Sequence, residues 1–398
     1  MHSFLSIVLG AALLPASFQS GGPLSDFAGP VRLVLPETIY ATPGIETNLY
    51  FENVLLTLTP GAYFYDVTCP KGTLLEARWT FSPKGEEAGA YPLMLEVRDS
   101  SNSVVARGRS TVRVASAGAG SGSTVRLLTV GDSLTQPALY QRHIHDLCAA
   151  GKSPSLRLIG TRGPDDLPAT GEIRHEGIGG WTAQAFATLY GPNSWNGYPK
   201  GEGTGSPFVY PDASGRPKLD FARYCREFNQ GMPPDFVTFG LGTNDVWRAT
   251  DEDIDRVLDG ILGYFDTLIG AVHAFRPEIR VGILLPPPPS PSQDGFRGYT
   301  GGQKQTAWQY RRNYHRLIER LISHFGGRGA ENIWLVPVYL GFDTRHNYHR
   351  RSFPVHGRDG TEVTQVIDPV HPASSGHQQI GDVIYSWIKV CLAHSGRR

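Results

Sequence analysis

Cysteine and methionine are both scarce in this chain, which has four cysteines and three methionines among 398 residues. No two cysteines form a CxxC pair, so the sequence predicts neither a zinc motif nor a thiol redox motif. Lysine plus arginine equal aspartate plus glutamate at 37 each, and the formal net charge is zero. Such a chain has no general electrostatic attraction to nucleic acid or anionic membranes, and we expect neither as a partner.

Because the cysteines form no zinc or redox motif, disulfide formation is the next role to consider. In an exported protein, two of the four could form a bridge. Cys148 and Cys391 lie in predicted helices of one domain, while Cys225 lies between them in sequence. Spacing alone does not decide which of them meet, so the pairing is left open.

Long apolar runs are also missing. The run from Phe4 to Leu14 is too short to span a bilayer, and Pro15 and Ala16 follow it. We predict a signal peptide at residues 1–20 and a secreted or periplasmic location, although Met1 to Ser3 carries no lysine or arginine. The alternative is an N-terminus that is disordered or packed in the core. No later stretch is long and apolar enough to predict a transmembrane helix.

A segment of small residues, Ala115 to Ser123, divides the chain in two. Before it, apolar and polar residues alternate, as in Tyr91 to Val97, and predict short strands joined by turns. We predict a small all-β immunoglobulin-like sandwich at 28–115, a linker at 116–123 and a catalytic domain at 124–395. Other strands predicted in the first part are Val31 to Leu35, Leu49 to Leu58, Tyr63 to Thr68, Leu74 to Phe81 and Val104 to Val114.

The second part alternates apolar strands with helices. The predicted strands are Val125 to Val130, Leu156 to Ile159, Phe236 to Leu241, Val281 to Leu285 and Ile333 to Val338. Helices are predicted at about 137–150, 251–275, 306–325 and 375–393. This order predicts a flavodoxin-like, three-layer α/β/α fold with a five-stranded parallel sheet. Ligands of such sheets bind beyond the carboxyl ends of the strands.

Two polar motifs stand at those strand ends. GDSL at 131–134 ends the first strand and places Ser133 before a helix, whose amino terminus favours a nearby oxyanion. GTND at 242–245 ends the third strand, and the Asn244 amide can donate a hydrogen bond to a developing oxyanion. Taken singly, each motif is also common in plain turns and helix caps.

Two further motifs complete the set. In DPVHP at 368–372, Asp368 can accept a hydrogen bond from His371 Nδ1 and leave the other ring nitrogen free to take a serine proton. HEGIGGWT at 175–182 contains a glycine-rich turn, where backbone N–H groups can approach a substrate closely. A loop histidine with a local partner and a tight turn are the simpler interpretations. Together, the four motifs occur in the order that a Ser133–His371–Asp368 triad on this sheet requires.

These four motifs resemble the sequence blocks of the SGNH, or GDSL, hydrolases, over about residues 125–393. The resemblance implies Ser133 as nucleophile, His371 as base and Asp368 as its orienting carboxylate. It also implies an oxyanion hole from the N–H groups of Ser133 and Gly180 and from the Asn244 side chain. Gly180 is preferred to Gly179 because Trp181 and Thr182 follow it as the family pattern requires. HEGIGGWT is also similar to a subgroup of exported bacterial carbohydrate esterases.

An insertion at about Ala185 to Tyr224 departs from the family pattern and predicts loops at the rim of the site. Trp181, Trp195 and Tyr198 are candidate sugar-binding residues, because aromatic faces can stack on sugar rings. The alternative is that these aromatic residues pack an irregular loop. Tyr190, Phe208 and Tyr210 belong to the same insertion.

The sequence therefore predicts a serine esterase that removes small acyl groups, acetyl above all, from carbohydrates through an acyl-enzyme. Its expected partner is an acylated carbohydrate or another small ester. Alternatives are a lipolytic esterase or thioesterase on longer chains, an acyltransferase, and a non-catalytic binding protein on a hydrolase scaffold. No cofactor or metal is predicted, because His143, His145, His346 and His349 lack ligand-like neighbours.

Overall fold

The computed structural model describes residues 31–164, 171–191, 204–298 and 305–395. The predicted signal peptide lies outside the described residues, and so do Trp195 and Tyr198. Within those ranges the chain forms an N-terminal region of β-sheets, followed by an α/β region that begins at Thr124.

The N-terminal region is all-β, as predicted, apart from one turn of α-helix and a short 3-10 turn at Pro60–Ala62. Its elements are β1 (Arg32–Leu33), β2 (Thr38–Ala41), β3 (Thr47–Tyr50), α1 (Phe51–Val54), β4 (Leu55–Leu56), β5 (Phe64–Thr68), β6 (Thr73–Leu74), β7 (Arg78–Phe81), β8 (Gly89–Arg98) and β9 (Val104–Val114). One sheet has the order β2-β9-β8-β5 and another the order β3-β7-β6. Every pairing is antiparallel except β2 with β9, which is parallel. The immunoglobulin-like type and the domain boundaries stay predictions.

Two of the predicted N-terminal strands are wrong in extent. Leu49 to Leu58 is not one strand, because the helical turn α1 interrupts it. Phe51 stacks on Tyr65 with ring centroids 4.5 Å apart, and the Asn53 amide donates to two carbonyl oxygens of the α/β region. These tertiary contacts stabilise a turn that local alternation does not reveal. The predicted strand Leu74 to Phe81 is likewise two short strands, β6 and β7.

The α/β region contains the predicted parallel sheet. Its elements in chain order are β10 (Thr124–Gly131), α2 (Leu139–Ala149), β11 (Ser155–Ile159), β12 (Glu176–Gly177), α3 (Ala183–Thr188), β13 (Val209–Pro211), β14 (Pro217–Leu219), α4 (Phe221–Phe228), β15 (Phe236–Gly240), α5 (Ile254–Phe275), β16 (Arg280–Leu284), α6 (Ala307–Phe325), β17 (Ile333–Val336), β18 (Arg350–His356), β19 (Asp359–Val366) and α7 (Ser374–Ser395). The sheet order is β11-β10-β15-β16-β17, all parallel, and the five-stranded α/β prediction is confirmed.

Several short elements were not predicted. The two-residue strand β12 pairs with the end of β10, and two antiparallel hairpins, β13–β14 and β18–β19, lie outside the main sheet. Almost every residue of β18–β19 is exposed on both faces, so its sequence lacks the one-sided apolar alternation that marks a half-buried strand. The described part of the insertion forms α3, β13, β14 and the start of α4.

The helix α5 is long and apolar enough, by length and composition alone, to cross a membrane. Its apolar face is nevertheless buried inside the protein. The buried residues are Ile254, Leu258, Ile261, Leu262, Phe265, Leu268, Ile269 and Val272. Helix α5 therefore packs as a core helix of the α/β region.

The two regions share one packed core. Tyr339 OH donates to Val34 O over 3.1 Å, and Arg32 forms an ion pair with Glu319. Arg311 donates to the carbonyl oxygens of Glu52 and Leu55. The segment predicted as a linker also touches α7, since Lys389 Nζ donates to Ala117 O over 2.9 Å. These contacts hold the β-sheets against the α/β region.

The strand register brings three loops to one edge of the sheet. Gly131, the last residue of β10, pairs with Gly177 on one side and Gly240 on the other. The loops that follow these three residues carry Ser133, Gly180 and Asn244. Because parallel strands end at the same edge, the three candidate residues become neighbours although they are far apart in sequence.

Candidate active site

Ser133, His371 and Asp368 form a hydrogen-bonded chain. His371 Nε2 lies 2.9 Å from Ser133 Oγ, and His371 Nδ1 lies 2.9 Å from Asp368 Oδ2. The other Asp368 oxygen accepts hydrogen bonds from the backbone N–H groups of Val370 and His371, each 2.9 Å long. The carboxylate is thus held in place by the turn that also carries the histidine. This is the arrangement in which a serine is activated by a general base.

The electrostatics of this pair favour a charged histidine beside a charged carboxylate. The hydrogen bond to Asp368 raises the pKa of His371 above its ordinary value, and partial burial only partly opposes it. Burial acts to raise the pKa of Asp368, but the hydrogen bonds from the His371 ring and backbone hold it below its usual range. This lowered pKa favours an ionised Asp368, and a carboxylate in this position can stabilise an imidazolium at His371.

Two backbone N–H groups of the candidate oxyanion hole have no hydrogen-bond acceptor among the described residues. Within the described ranges, neither the Ser133 N–H nor the Gly180 N–H donates a hydrogen bond. Gly180 has φ of 77°, in the left-handed region that favours glycine. The adjacent Gly179 N–H is already used, because it donates to Gln136 Oε1 over 2.6 Å. Of the two glycines, Gly180 is therefore the better placed to bind an oxyanion.

The Asn244 amide has two protein acceptors. Its Nδ2 donates to Trp181 O over 3.0 Å and to Asp132 Oδ2 over 3.2 Å. An amide nitrogen has only two hydrogens, so donation to an oxyanion requires one of these bonds to be shared or exchanged. The longer bond, to Asp132, is the weaker of the two. The amide is thereby oriented before the substrate arrives.

Two buried carboxyl groups support this side of the site. Asp132 is fully buried and accepts hydrogen bonds from Leu134 N–H and from Asn244. Burial raises the pKa of Asp132 to about 6, against the opposing effects of the Leu134 hydrogen bond and the charge of His371. Burial also raises the pKa of Asp245 to about 7, and the nearby charge of Asp132 adds to the shift. Asp245 accepts from Ala183 N–H at the start of α3.

The glycine turn has a buried anchor that the sequence did not identify as functional. Glu176 accepts hydrogen bonds from Thr161 N–H, Thr161 Oγ1 and Tyr224 OH, at 2.7, 2.9 and 2.7 Å. His175 Nδ1 accepts from Gly177 N–H, so its Nε2–H donates to Gly163 O. These bonds fix β12 immediately before the turn. The signal was present in HEGIGGWT, where two titratable residues precede the glycines.

An open cleft of about 350 Å³ borders the serine. Its lining residues are Ser133, Gln136, Pro137, Leu139, His349, His371, Pro372 and His377. Only Pro137, Leu139 and Pro372 are apolar. His349 and His377 were not among the predicted site residues, because the fold brings them to the triad from a loop and from the first turns of α7.

Of the aromatic residues named in the insertion, Tyr190 is exposed, whereas Phe208 and Tyr210 are buried. Phe208 and Tyr210 are each 2% exposed and pack in the core. Trp181 is 6% exposed and contacts Phe186 edge-to-face, so its ring has no open face for a sugar. This corrects the proposed stacking role of Trp181, whose carbonyl oxygen instead holds Asn244. Trp195 and Tyr198 lie outside the described residues.

All four cysteines lie in the described part of the chain, and no disulfide joins any two of them. Burial raises the pKa of Cys148 to about 11 and those of Cys225 and Cys391 to about 12. Such thiols are protonated at neutral pH, so none of the three is an activated nucleophile that competes with Ser133.

The comparison with known families agrees with the geometry. Residues 127–384 match the family described as GDSL-like Lipase/Acylhydrolase. The chain belongs to this family. No curated protein matches the chain at a significant level. As a GDSL acylhydrolase, the protein is an esterase-type enzyme, and the matched region includes Ser133, Asn244 and His371.

Solved structures show distant likenesses. The chain is similar to a carbohydrate esterase family 3 from Talaromyces cellulolyticus, at 18% identity and a TM-score of 0.35, covering 68% of this chain and 99% of that one. It is also similar to an acetylxylan esterase from Geobacillus stearothermophilus, at 15% identity and a TM-score of 0.35, covering 69% of this chain and 96% of that one.

Proposed function

We propose that this GDSL acylhydrolase removes small acyl groups, acetyl above all, from hydroxyl groups of carbohydrates. The observation that carries the proposal is the cleft beside Ser133, where five of the eight lining residues are polar or titratable. Pockets for long apolar ligands are lined mainly by hydrophobic side chains. An open cleft with five polar or titratable side chains in its lining instead suits a short acyl group on a hydrophilic alcohol.

The reaction follows from the positions of the polar atoms. Ser133 Oγ attacks the ester carbonyl while His371 Nε2, 2.9 Å away, takes its proton. The N–H groups of Ser133 and Gly180 and the Asn244 amide stabilise the oxyanion. His371 then gives the proton to the leaving alcohol, and an acyl-enzyme remains on Ser133. Water, deprotonated by the same histidine, attacks the acyl-enzyme and releases the carboxylic acid.

Acetate release from natural polymers tests the proposal. Purified protein should release acetate from at least one of acetylated xylan, pectin, mannan and O-acetylated sialic acid, and Ser133→Ala should release none above background. Nitrophenyl esters from acetate to palmitate give the chain-length preference, which should be highest at acetate. Activity that rises toward palmitate, with no acetate released from any polymer, would replace the proposal with a lipolytic or thioesterase function.

We also propose a secreted or periplasmic location, which the predicted signal peptide supports. Expression in a bacterial host with an intact secretion system should give mature protein whose N-terminus lies near residue 20. Recovery of uncleaved protein from the cytoplasm alone would count against that location.

A further inference from the structure

We propose that His377, together with His349, forms the subsite for the alcohol half of the ester, and that His377 binds a hydroxyl group of a polyhydroxylated leaving group. The inference rests on the proposed ester hydrolysis. It goes further by assigning the alcohol half of the ester to one side of Ser133 and the carbonyl oxygen to the other. His377 is thus a specificity-determining residue outside the triad and the oxyanion hole.

The first observation is that His377 is buried without an internal partner. His377 is only 3% exposed. Its Nδ1 atom is buried and has no hydrogen-bond partner in the described part of the chain. Within the described residues the His377 ring makes no hydrogen bond through Nδ1, while the backbone N–H of His377 donates to Ala373 O. A buried polar ring without a partner lowers stability, so its presence beside the nucleophile calls for a ligand.

The second observation is the position of the ring. His377 lines the same cleft as Ser133 and His371, on the first turns of α7. His349 lines the cleft from a loop whose backbone is fixed, because His349 O accepts from Ile367 N–H directly before Asp368. Neither Gly180 nor Asn244 lines this cleft. The cleft therefore borders Ser133 and the histidine of the triad, and not the other two oxyanion donors, Gly180 and Asn244.

The direction of proton transfer assigns this side to the alcohol. His371 Nε2 must reach the leaving oxygen within about 3 Å to protonate it. The group attached to that oxygen then extends into the cleft that His371 borders. The carbonyl oxygen lies on the other side, toward the oxyanion donors. Hence His349 and His377 face the alcohol and not the acyl chain.

The charge state of His377 fits a hydroxyl ligand. Burial lowers the pKa of His377 to about 4, and the neighbouring charges of His371 and His349 act in the same direction. A neutral imidazole has one donor and one acceptor nitrogen, which matches an alcohol hydroxyl. Metal binding is a poorer interpretation, because the described residues contain no group of three His, Cys, Asp or Glu side chains placed to hold a metal ion.

The test compares two acetate esters that differ in the alcohol. Glyceryl monoacetate has a polyhydroxylated leaving group, and nitrophenyl acetate has none. The readout is the ratio of kcat/KM for glyceryl monoacetate to that for nitrophenyl acetate. His377→Phe should lower this ratio about tenfold to a hundredfold, as the loss of one or two buried hydrogen bonds predicts. His377→Gln keeps a donor and an acceptor and should recover part of the ratio.

Controls separate the subsite from other roles. His346→Phe changes an exposed histidine that pairs with Asp343 outside the cleft, and its ratio should equal that of the unchanged protein. His349 lies in an exposed loop, so its replacement is less damaging to the fold. If His377→Phe does not fold, His349→Ala tests the subsite instead, and it should also lower the ratio. Acetylated xylo-oligosaccharide then extends the test to a sugar.

Three outcomes would overturn the inference. Equal losses on both esters in His377→Phe would make His377 a support for His371. A change in acyl-chain preference, with the ratio unchanged, would place the cleft on the acyl side. An unchanged ratio in folded His377→Phe and His349→Ala would leave the cleft without a role in alcohol binding. Failure to release acetate from any carbohydrate would instead contradict the proposed function, and the two-ester test would still decide the subsite.

Discussion

The two sides of Ser133 are built differently. On the oxyanion side, donors are backbone N–H groups and one amide, and the supporting groups Asp132 and Glu176 are buried and hydrogen-bonded. On the cleft side, the lining is open and includes the buried, unpaired ring of His377. The oxyanion side binds atoms that all esters share, whereas the cleft side contacts the part that differs between esters. The proposal therefore assigns the backbone donors and the Asn244 amide to the chemistry, and the cleft histidines to selection of the alcohol.

The largest expected loss of activity comes from replacing His371, which serves both sides of Ser133. His371→Ala removes both the base and the proton donor, and kcat should fall by a factor on the order of 10⁴ to 10⁶ for every ester. Steady-state rates on nitrophenyl acetate and on glyceryl monoacetate measure this loss. Loss on one ester alone would mean that the proton reaches the leaving group by different routes on the two substrates.

The second effect belongs to the oxyanion side. Asn244→Ala removes one side-chain donor, and kcat should fall about 10²- to 10³-fold, as for other oxyanion-hole donors. The factor should be the same for both acetate esters, because the oxyanion is common to them. A loss confined to glyceryl monoacetate would mean that Asn244 binds the alcohol and not the oxyanion. The distinction between the two sides of Ser133 would then be wrong.

The third effect is the dependence of kcat/KM on pH. His371 acts as a base only when neutral, and its pKa is raised above the ordinary value of 6.5 by the hydrogen bond to Asp368. Activity should therefore rise with pH through a midpoint above 6.5, and at pH 5 should lie at least roughly thirtyfold below its plateau. Asp368→Asn removes the carboxylate and should move the midpoint to lower pH. A midpoint that does not move would mean that Asp368 does not set the pKa of His371.

The smallest effect concerns the support of Asn244. Asp132→Asn replaces a carboxylate that accepts two hydrogen bonds by an amide with a single acceptor oxygen, so the Asn244 amide loses a partner. We expect kcat to fall about tenfold, the effect of one hydrogen bond. The acid midpoint should also move to lower pH, because the charge of Asp132 raises the pKa of His371. Thermal unfolding checks that the variant is folded, and unchanged kinetics in a folded variant would contradict the positioning role.

The positions of the candidate site residues were predictable because each residue follows a strand or precedes a helix within a short motif. Ser133 and Asn244 follow β10 and β15, and Asp368 and His371 share one turn before α7. Apolar runs with helices between them were sufficient to predict the five parallel strands.

The cleft histidines could not be predicted in the same way. His349 and His377 reach Ser133 only through the packing of a loop and of α7, and no local pattern marks them. For the same reason the helical turn α1 was mistaken for strand, since contacts to the α/β region hold it. Trp181 was misjudged because its burial against Phe186 is a tertiary property.

Covalent trapping of Ser133 tests the central claim most directly. The protein is treated with a fluorophosphonate, which reacts with activated serines, and the modified peptide is identified by mass spectrometry. The structure predicts a single modification at Ser133, greatly slowed in His371→Ala and absent in Ser133→Ala. Labelling of another residue, or none in protein that hydrolyses acetate esters, would contradict the assignment of Ser133 as the nucleophile.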